Sequence, residues 1–182
     1  RHKIQRVRKY LRDFQVDDTL ADTICCYYEY VWWRDNDVGL FDDLTDALRL
    51  RLAIAVKRPF ILKCPLFKAL DQYLVIKIVT ALTDIVVVPG EIVSAQGEVG
   101  ESMYFVAHGE LVVTVSLLAK KKTQQLTVGK LSEGDHFGEA AILTDGLRMA
   151  TVRAVSFCEL FTLTKTALLE ACGDQKDDVM RV

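Results

Sequence analysis

The sequence is poor in the side-chain groupings that build disulfide frameworks, metal centres and nucleophilic active sites. Its five cysteines are an odd count with no C-x-x-C pair, which argues against a disulfide scaffold or a zinc site and fits a reducing, cytosolic setting. His2, His108 and His136 are scattered without metal-ligand spacing, so the histidine cluster that a metal-binding cupin needs is missing. No arrangement of serine, cysteine and histidine specifies a nucleophile with its base, and no catalysis is expected. Charge of one sign is lacking too. The 23 Lys and Arg residues intermingle with 25 Asp and Glu, for a formal net charge of -2, which supplies no basic field for a nucleic-acid backbone. No stretch approaches the roughly 18 consecutive apolar residues that span a bilayer, and no signal-peptide layout is present. The chain is therefore expected to be soluble. Because it begins at Arg1 rather than Met, it is also expected to be a piece of something larger, with any membrane anchor outside it.

What is present is the composition of a folded protein, 51% hydrophobic and 26% charged, arranged with a change of hydrophobic period partway along. From Arg1 to about Arg58 the apolar residues recur at helical spacing: Ile4, Val7, Leu11 and Phe14, then Ile24, Tyr27, Tyr28 and Val31, then Leu44, Leu48 and Leu52. These predict three amphipathic helices, with Asp17 or Asp18 capping the second, Thr45 capping the third and Pro59 ending the run. A fourth helix is expected from Asp71, with Leu70 and Val75 as a hydrophobic staple. Short β-branched or alternating runs then follow at 85–88, 92–94, 103–107, 111–116, 125–128, 151–154 and 158–162, separated by glycine-bearing turns, and Lys120 to Lys122 reads as a solvated hairpin tip. A last helix is expected over 165–172. The fold class is α+β: a helical segment 1–58, then 59–182 as a roll or sandwich of short strands with flanking helices.

The chemistry concentrates in Phe137-Gly138-Glu139-Ala140-Ala141-Ile142-Leu143 and the following Thr144 to Val152. A glycine lets backbone approach a ligand, and the residues after Gly138 can open a short helix whose free N–H groups favour an anion. Ala140 and Ala141 are too small to obstruct a phosphate. Arg148 returns after a turn with a permanent charge and paired donors suited to phosphate oxygens. Glu139, which phosphate would repel, can accept from a sugar hydroxyl and suits the ribose end of a nucleotide.

This segment resembles the phosphate-binding cassette of cyclic-nucleotide-binding domains. Pro89 to Ile92, Gly97 to Tyr104, His108-Gly109 and Leu131 to Asp135 resemble the glycine-punctuated turns of the same double-sheet, jelly-roll-like β-roll. Upstream, Tyr27 to Trp32 and Leu44 to Val56 resemble the C-linker of hyperpolarization-activated, cyclic-nucleotide-gated and related potassium channels. The resemblance implies that Glu139 holds the ribose 2′-hydroxyl, that the backbone of Gly138, Ala140 and Ala141 faces the cyclic phosphate, and that Arg148 neutralises it. Val113 and Leu131 then line the base, and Met149 and Ala150 complete the ligand-binding set. Met149 stands where many such channels carry threonine. A thioether cannot replace that donor, and hydrogen bonds to a charged group contribute roughly 1.5–3 kcal/mol, so cAMP is expected over cGMP.

The resemblance further implies a regulatory module of a cation channel in the plasma membrane, joined to a pore in the same polypeptide and assembled as a homo- or heterotetramer. The lid helix that covers the base in the family is expected to be incomplete after Cys172. Competing readings are an assembly scaffold that has lost ligand binding, and the regulatory part of a membrane exchanger or an enzyme. Arg148→Glu is expected to abolish nucleotide binding while leaving the fold intact, on the view that the side chain lies at the pocket surface.

Overall fold

A computed structural model of the protein describes residues 2–34, 43–68, 70–119, 122–144 and 146–173. Their contacts divide into two compact units, Arg1–Asp46 and Ala47–Val182. The tip residues Lys120 and Lys121, Asp145 of the cassette and the segment 174–182, where a lid would continue, lie outside the described residues.

In the first unit, α1 (His2–Asp13) turns into α2 (Asp18–Arg34). Leu11 is buried, and Arg8 donates to Glu29 at 2.6 Å across the pair. Two backbone bonds close the end of α1, Val16 N–H to Leu11 C=O at 3.0 Å and Gln15 N–H to Arg12 C=O at 3.1 Å, with Gln15 left-handed at φ 51°. This is a Schellman turn carrying glutamine where glycine is usual. Asp17 then caps α2 as expected: its carboxylate accepts from the amides of Thr19 and Leu20 at 3.1 and 3.4 Å and from the Thr19 hydroxyl. The hydroxyl bond is the largest cause holding that carboxyl below its ordinary value.

α3 (Asp46–Lys63), which belongs to the second unit from Ala47 on, starts one residue after Thr45. The expectation that Pro59 ends this helix is corrected, because the helix passes through Pro59 to Lys63. Proline removes one intrahelical bond. The turn after it survives because Ile61 is fully buried, while Phe60 and Leu62 pack on the same core and the Phe60 ring meets Phe161 edge-on at 5.2 Å. Nearby, Lys57 is largely covered. Its ammonium lies 2.8 Å from the Asp84 carboxylate, donates to Leu82 C=O at 3.4 Å and sits 5.1 Å from the centre of the Phe161 ring.

A 3-10 turn, Pro65–Phe67, leads to α4 (Gln72–Ala81), capped by Asp71 accepting from Leu74 N–H at 2.8 Å. Leu70 packs on the core cluster that contains Val75, as a staple requires. The strands follow: β1 (Thr83–Val87), β2 (Ile92–Ser94), β3 (Ser102–His108), β4 (Leu111–Ala119), β5 (Lys122–Leu131) and β6 (His136–Phe137). After α5 (Glu139–Thr144) come β7 (Thr151–Ala154), β8 (Cys158–Thr164) and α6 (Lys165–Cys172). They form two antiparallel four-stranded sheets, β1-β8-β3-β6 and β2-β7-β4-β5, the β-roll that the sequence pattern predicts.

Two cores explain the layering. Along β3, Met103 and Phe105 join a cluster with α3, α4 and α6, while Tyr104 and Val106 join a cluster with β4 and β7. The first sheet is thus covered on both faces, by helices on one side and by the second sheet on the other. That is why β3 reads as a nearly continuous apolar run rather than an alternating one. β6, only two residues long, has too little pattern to be seen in the sequence; it is held in register by Tyr104 opposite Phe137 and Phe105 opposite His136.

Candidate functional site

α5 and the loop after it meet the second sheet around a cavity of about 170 Å³. Gly138, Glu139, Ala140 and Ala141 supply one wall, Arg148, Met149 and Ala150 another, and Val113 and Leu131 the floor from β4 and β5. All nine residues singled out in the sequence therefore share one cavity. Ser94, Phe137, Leu147 and Val152 also line it. Ser94 had no sequence signal beyond its place at the end of a short strand.

Arg148 organises the site. Its backbone is fixed by N–H to Glu98 C=O at 2.7 Å and by Gly97 N–H to its own C=O at 2.8 Å, and Leu147 bridges Val99. The loop 97–100 therefore presents the arginine. Its guanidinium donates through Nη1 to Gly138 C=O at 3.1 Å and through Nη2 to Ser102 C=O. The guanidinium carbon lies 5.9 Å from the centre of the Tyr104 ring, which stacks in turn on Phe137 at 4.9 Å. The side chain is only 8% exposed. Among the described residues no carboxylate forms a salt bridge with it. A buried cation is ordinarily paired, so an arginine held by carbonyl oxygens and a ring face, with some of its five donors uncommitted, suits an incoming anion.

This placement corrects one premise: Arg148 is covered rather than at the pocket surface. Arg148→Glu is therefore expected to cost stability as well as binding, because the carboxylate would face two carbonyl oxygens and the bonds that tie Ser102 to Gly138 would be lost.

The glycines fit this geometry. Gly138 has φ +88°, and a Cβ there would stand 2.5 Å from Arg148 Nη1 and 3.0 Å from Ser102 O. The glycine in the Phe-Gly-Glu run thus serves to let the arginine close on the backbone. Gly100 is equally constrained, since a Cβ would come within 2.2 Å of Ala141 Cβ and 3.2 Å of the guanidinium. Tyr104, Ser102 and Gly100 were legible only as parts of a turn and a strand, because their roles depend on contacts distant in sequence.

Glu139 opens α5 and is half-buried; Ala140 is exposed and Ala141 buried. The first-turn amides of α5 have no acceptor within the helix. Met149 is 80% exposed at the cavity rim. Anionic, hydrogen-bonding and apolar parts of a ligand would therefore meet a cation with free amides, a carboxylate, and a floor of valine and leucine. No three His, Cys, Asp or Glu side chains gather as a metal set among the described residues. No described helix is long and apolar enough to cross a membrane.

Comparison with known proteins agrees with this chemistry. The chain is 30% identical over 164 residues to the potassium/sodium hyperpolarization-activated cyclic nucleotide-gated channel 4 of Homo sapiens, covering 89% of this chain and 13% of that protein. It is 32% identical over 165 residues to channel 2 of the same name from Mus musculus, covering 89% and 18%. It is 28% identical over 178 residues to the cyclic nucleotide-gated channel alpha-3 of Homo sapiens, covering 93% and 25%. The chain thus spans a quarter or less of the length of these relatives. The family model described as cyclic nucleotide-binding domain matches residues 84–175, half of the sequence and the whole of the cavity just described. The chain belongs to the cyclic nucleotide-binding domain family.

Proposed function

We propose that the cavity takes a 3′,5′-cyclic nucleotide, and that the chain is the ligand-sensing regulatory module of a cation channel with no catalysis of its own. The observation that carries the reading is the covered guanidinium of Arg148, with no salt bridge to a carboxylate among the described residues, sharing a cavity with Glu139. Phosphate would take the remaining donors of Arg148 and the first amides of α5, the ribose 2′-hydroxyl would donate to Glu139, and the base would lie on Val113 and Leu131. Met149 offers no hydrogen-bond donor at the rim, which favours cAMP over cGMP.

The channel attachment draws on the relatives, whose names describe cyclic nucleotide-gated channels. In this reading the helices of segment 1–58 carry the binding event to a pore in the same polypeptide, beneath the plasma membrane. The exposed Tyr10, Leu20 and Trp32 of α1 and α2, with Phe14 in the turn between them, supply apolar surface for assembly into a tetramer.

Titration calorimetry and thermal melting with cAMP and cGMP test the reading. A ligand at about 100 times its Kd stabilises the native state by about 2.7 kcal/mol, so the melting point must rise. Arg148→Lys, which keeps the charge but loses the planar fork, is expected to weaken cAMP by about ten-fold or more, and Glu139→Ala to weaken it as well. Absence of heat and of a melting shift at millimolar nucleotide would instead favour the scaffold reading. The two carbonyl bonds that Arg148 already makes are the feature consistent with that alternative.

A further inference from the structure

We infer that Gly129 determines which bases the site accepts, by leaving an apolar notch beside the cavity that admits a phenyl-sized substituent on the purine of a cyclic nucleotide. This deepens the nucleotide reading above and rests on it.

Gly129 lies in β5 directly opposite Val113 and two residues before Leu131, the two side chains that floor the cavity. Residues two apart on a strand share a face. The pattern agrees: 129 and 131 are half-buried, and 130 between them is exposed. The register shifts at Val113/Thr114, so that Val128 is the extra residue and Leu126 faces Val115. The register positions that share this face are apolar: Val113 opposite the glycine, Leu131 two residues on, and Leu126, 51% exposed, opposite Val115. Gly129 is the gap in that row.

The reason for a glycine here differs from the reasons elsewhere in the site. Gly138 is demanded by its positive φ and by the guanidinium, and Gly100 by Ala141. Gly129 has no positive φ, and a Cβ added to it meets nothing within 4 Å. Neither a left-handed φ nor crowding asks for glycine; the residue adjoins the bulge at Val128, and glycine weakens a strand interior. What the residue does provide is space on the floor, next to the place where a base resting on Val113 and Leu131 would end. The side chains at the neighbouring register positions, Val113, Leu131 and Leu126, are hydrocarbon, so the group that fits is apolar.

The test is calorimetric binding to the 182-residue chain of cAMP and of two analogues bearing a phenyl-sized apolar group, one on base carbon 8 and one on the exocyclic nitrogen. At least one analogue is expected to bind the native protein as tightly as cAMP or more so. Gly129→Leu fills the notch and is expected to weaken that analogue by about ten-fold or more, while cAMP changes by less than about three-fold. Gly129→Ala should fall between. cAMP binding by each variant shows that it is folded. If Gly129→Leu binds cAMP but leaves both analogue-to-cAMP affinity ratios unchanged, the notch has no role and the inference is overturned while the nucleotide reading stands. If the native protein binds neither cAMP nor an analogue, the nucleotide reading fails and takes this inference with it.

Discussion

The two sheets of the roll are paired alike but covered differently. In β1-β8-β3-β6, the strands β3 and β8 are covered on both faces, with Phe105, Met103, Leu160 and Leu163 at or near zero exposure. In β2-β7-β4-β5, the cavity side is open, and Ile92, Leu117, Leu126 and Val128 remain exposed. One sheet stores stability and the other keeps apolar surface free for a ligand. Arg148 joins them in function, since it rises beside the open sheet and donates to Ser102 C=O at the start of β3.

Truncations should separate the two sheets most strongly. Phe105→Ala removes a fully buried ring and is expected to destabilise the protein by about 3–5 kcal/mol, whereas Leu126→Ala on the open sheet should change stability by less than about 0.5 kcal/mol. Urea unfolding of the two variants checks this, and comparable losses would break the distinction. A smaller effect is expected where the sheets meet. Gly100→Ala forces a methyl against Ala141 and the guanidinium, an overpacking expected to cost about 1–3 kcal/mol and to weaken nucleotide together with stability. Thermal melting with and without cAMP reads both.

The smallest effect concerns thiol chemistry. Burial is the largest cause pushing the Cys64 and Cys158 thiols up from their ordinary value, so both stay protonated to higher pH and react slowly. Exposed Cys26 should therefore alkylate well before them at neutral pH, as peptide mass spectrometry would show. Raising the pH should speed the buried pair only above the ordinary thiol range. Early modification of Cys158 would mean that the covered sheet opens as readily as the other.

The same contrast decides what could be read from the sequence. The open sheet shows itself through alternation and glycine turns, and the cassette through Phe137-Gly138-Glu139 and Arg148 at fixed spacing. α4 was legible from the Leu70 and Val75 staple and α6 as a run over 165–172, while the caps that start them, Asp71 accepting from Leu74 N–H and Thr164 from Ala167 N–H, came with the structure. What escaped depends on tertiary partners. Pro59 is carried inside a helix because the turn beyond it is anchored in the core, Gln15 takes a left-handed turn usually given to glycine, and Arg148 is held by the carbonyl of Gly138 in its own segment and by that of Ser102, 46 residues away. Local chemistry identifies these residues but not their surroundings.

The placement of Lys57 has a mechanical consequence. One ammonium touches a carbonyl at the end of α4, a carboxylate on β1 and a ring on β8, so α3 cannot slide by a helical turn of about 5.4 Å without losing all three at once. One side chain therefore sets the register of α3 against α4, β1 and β8 together.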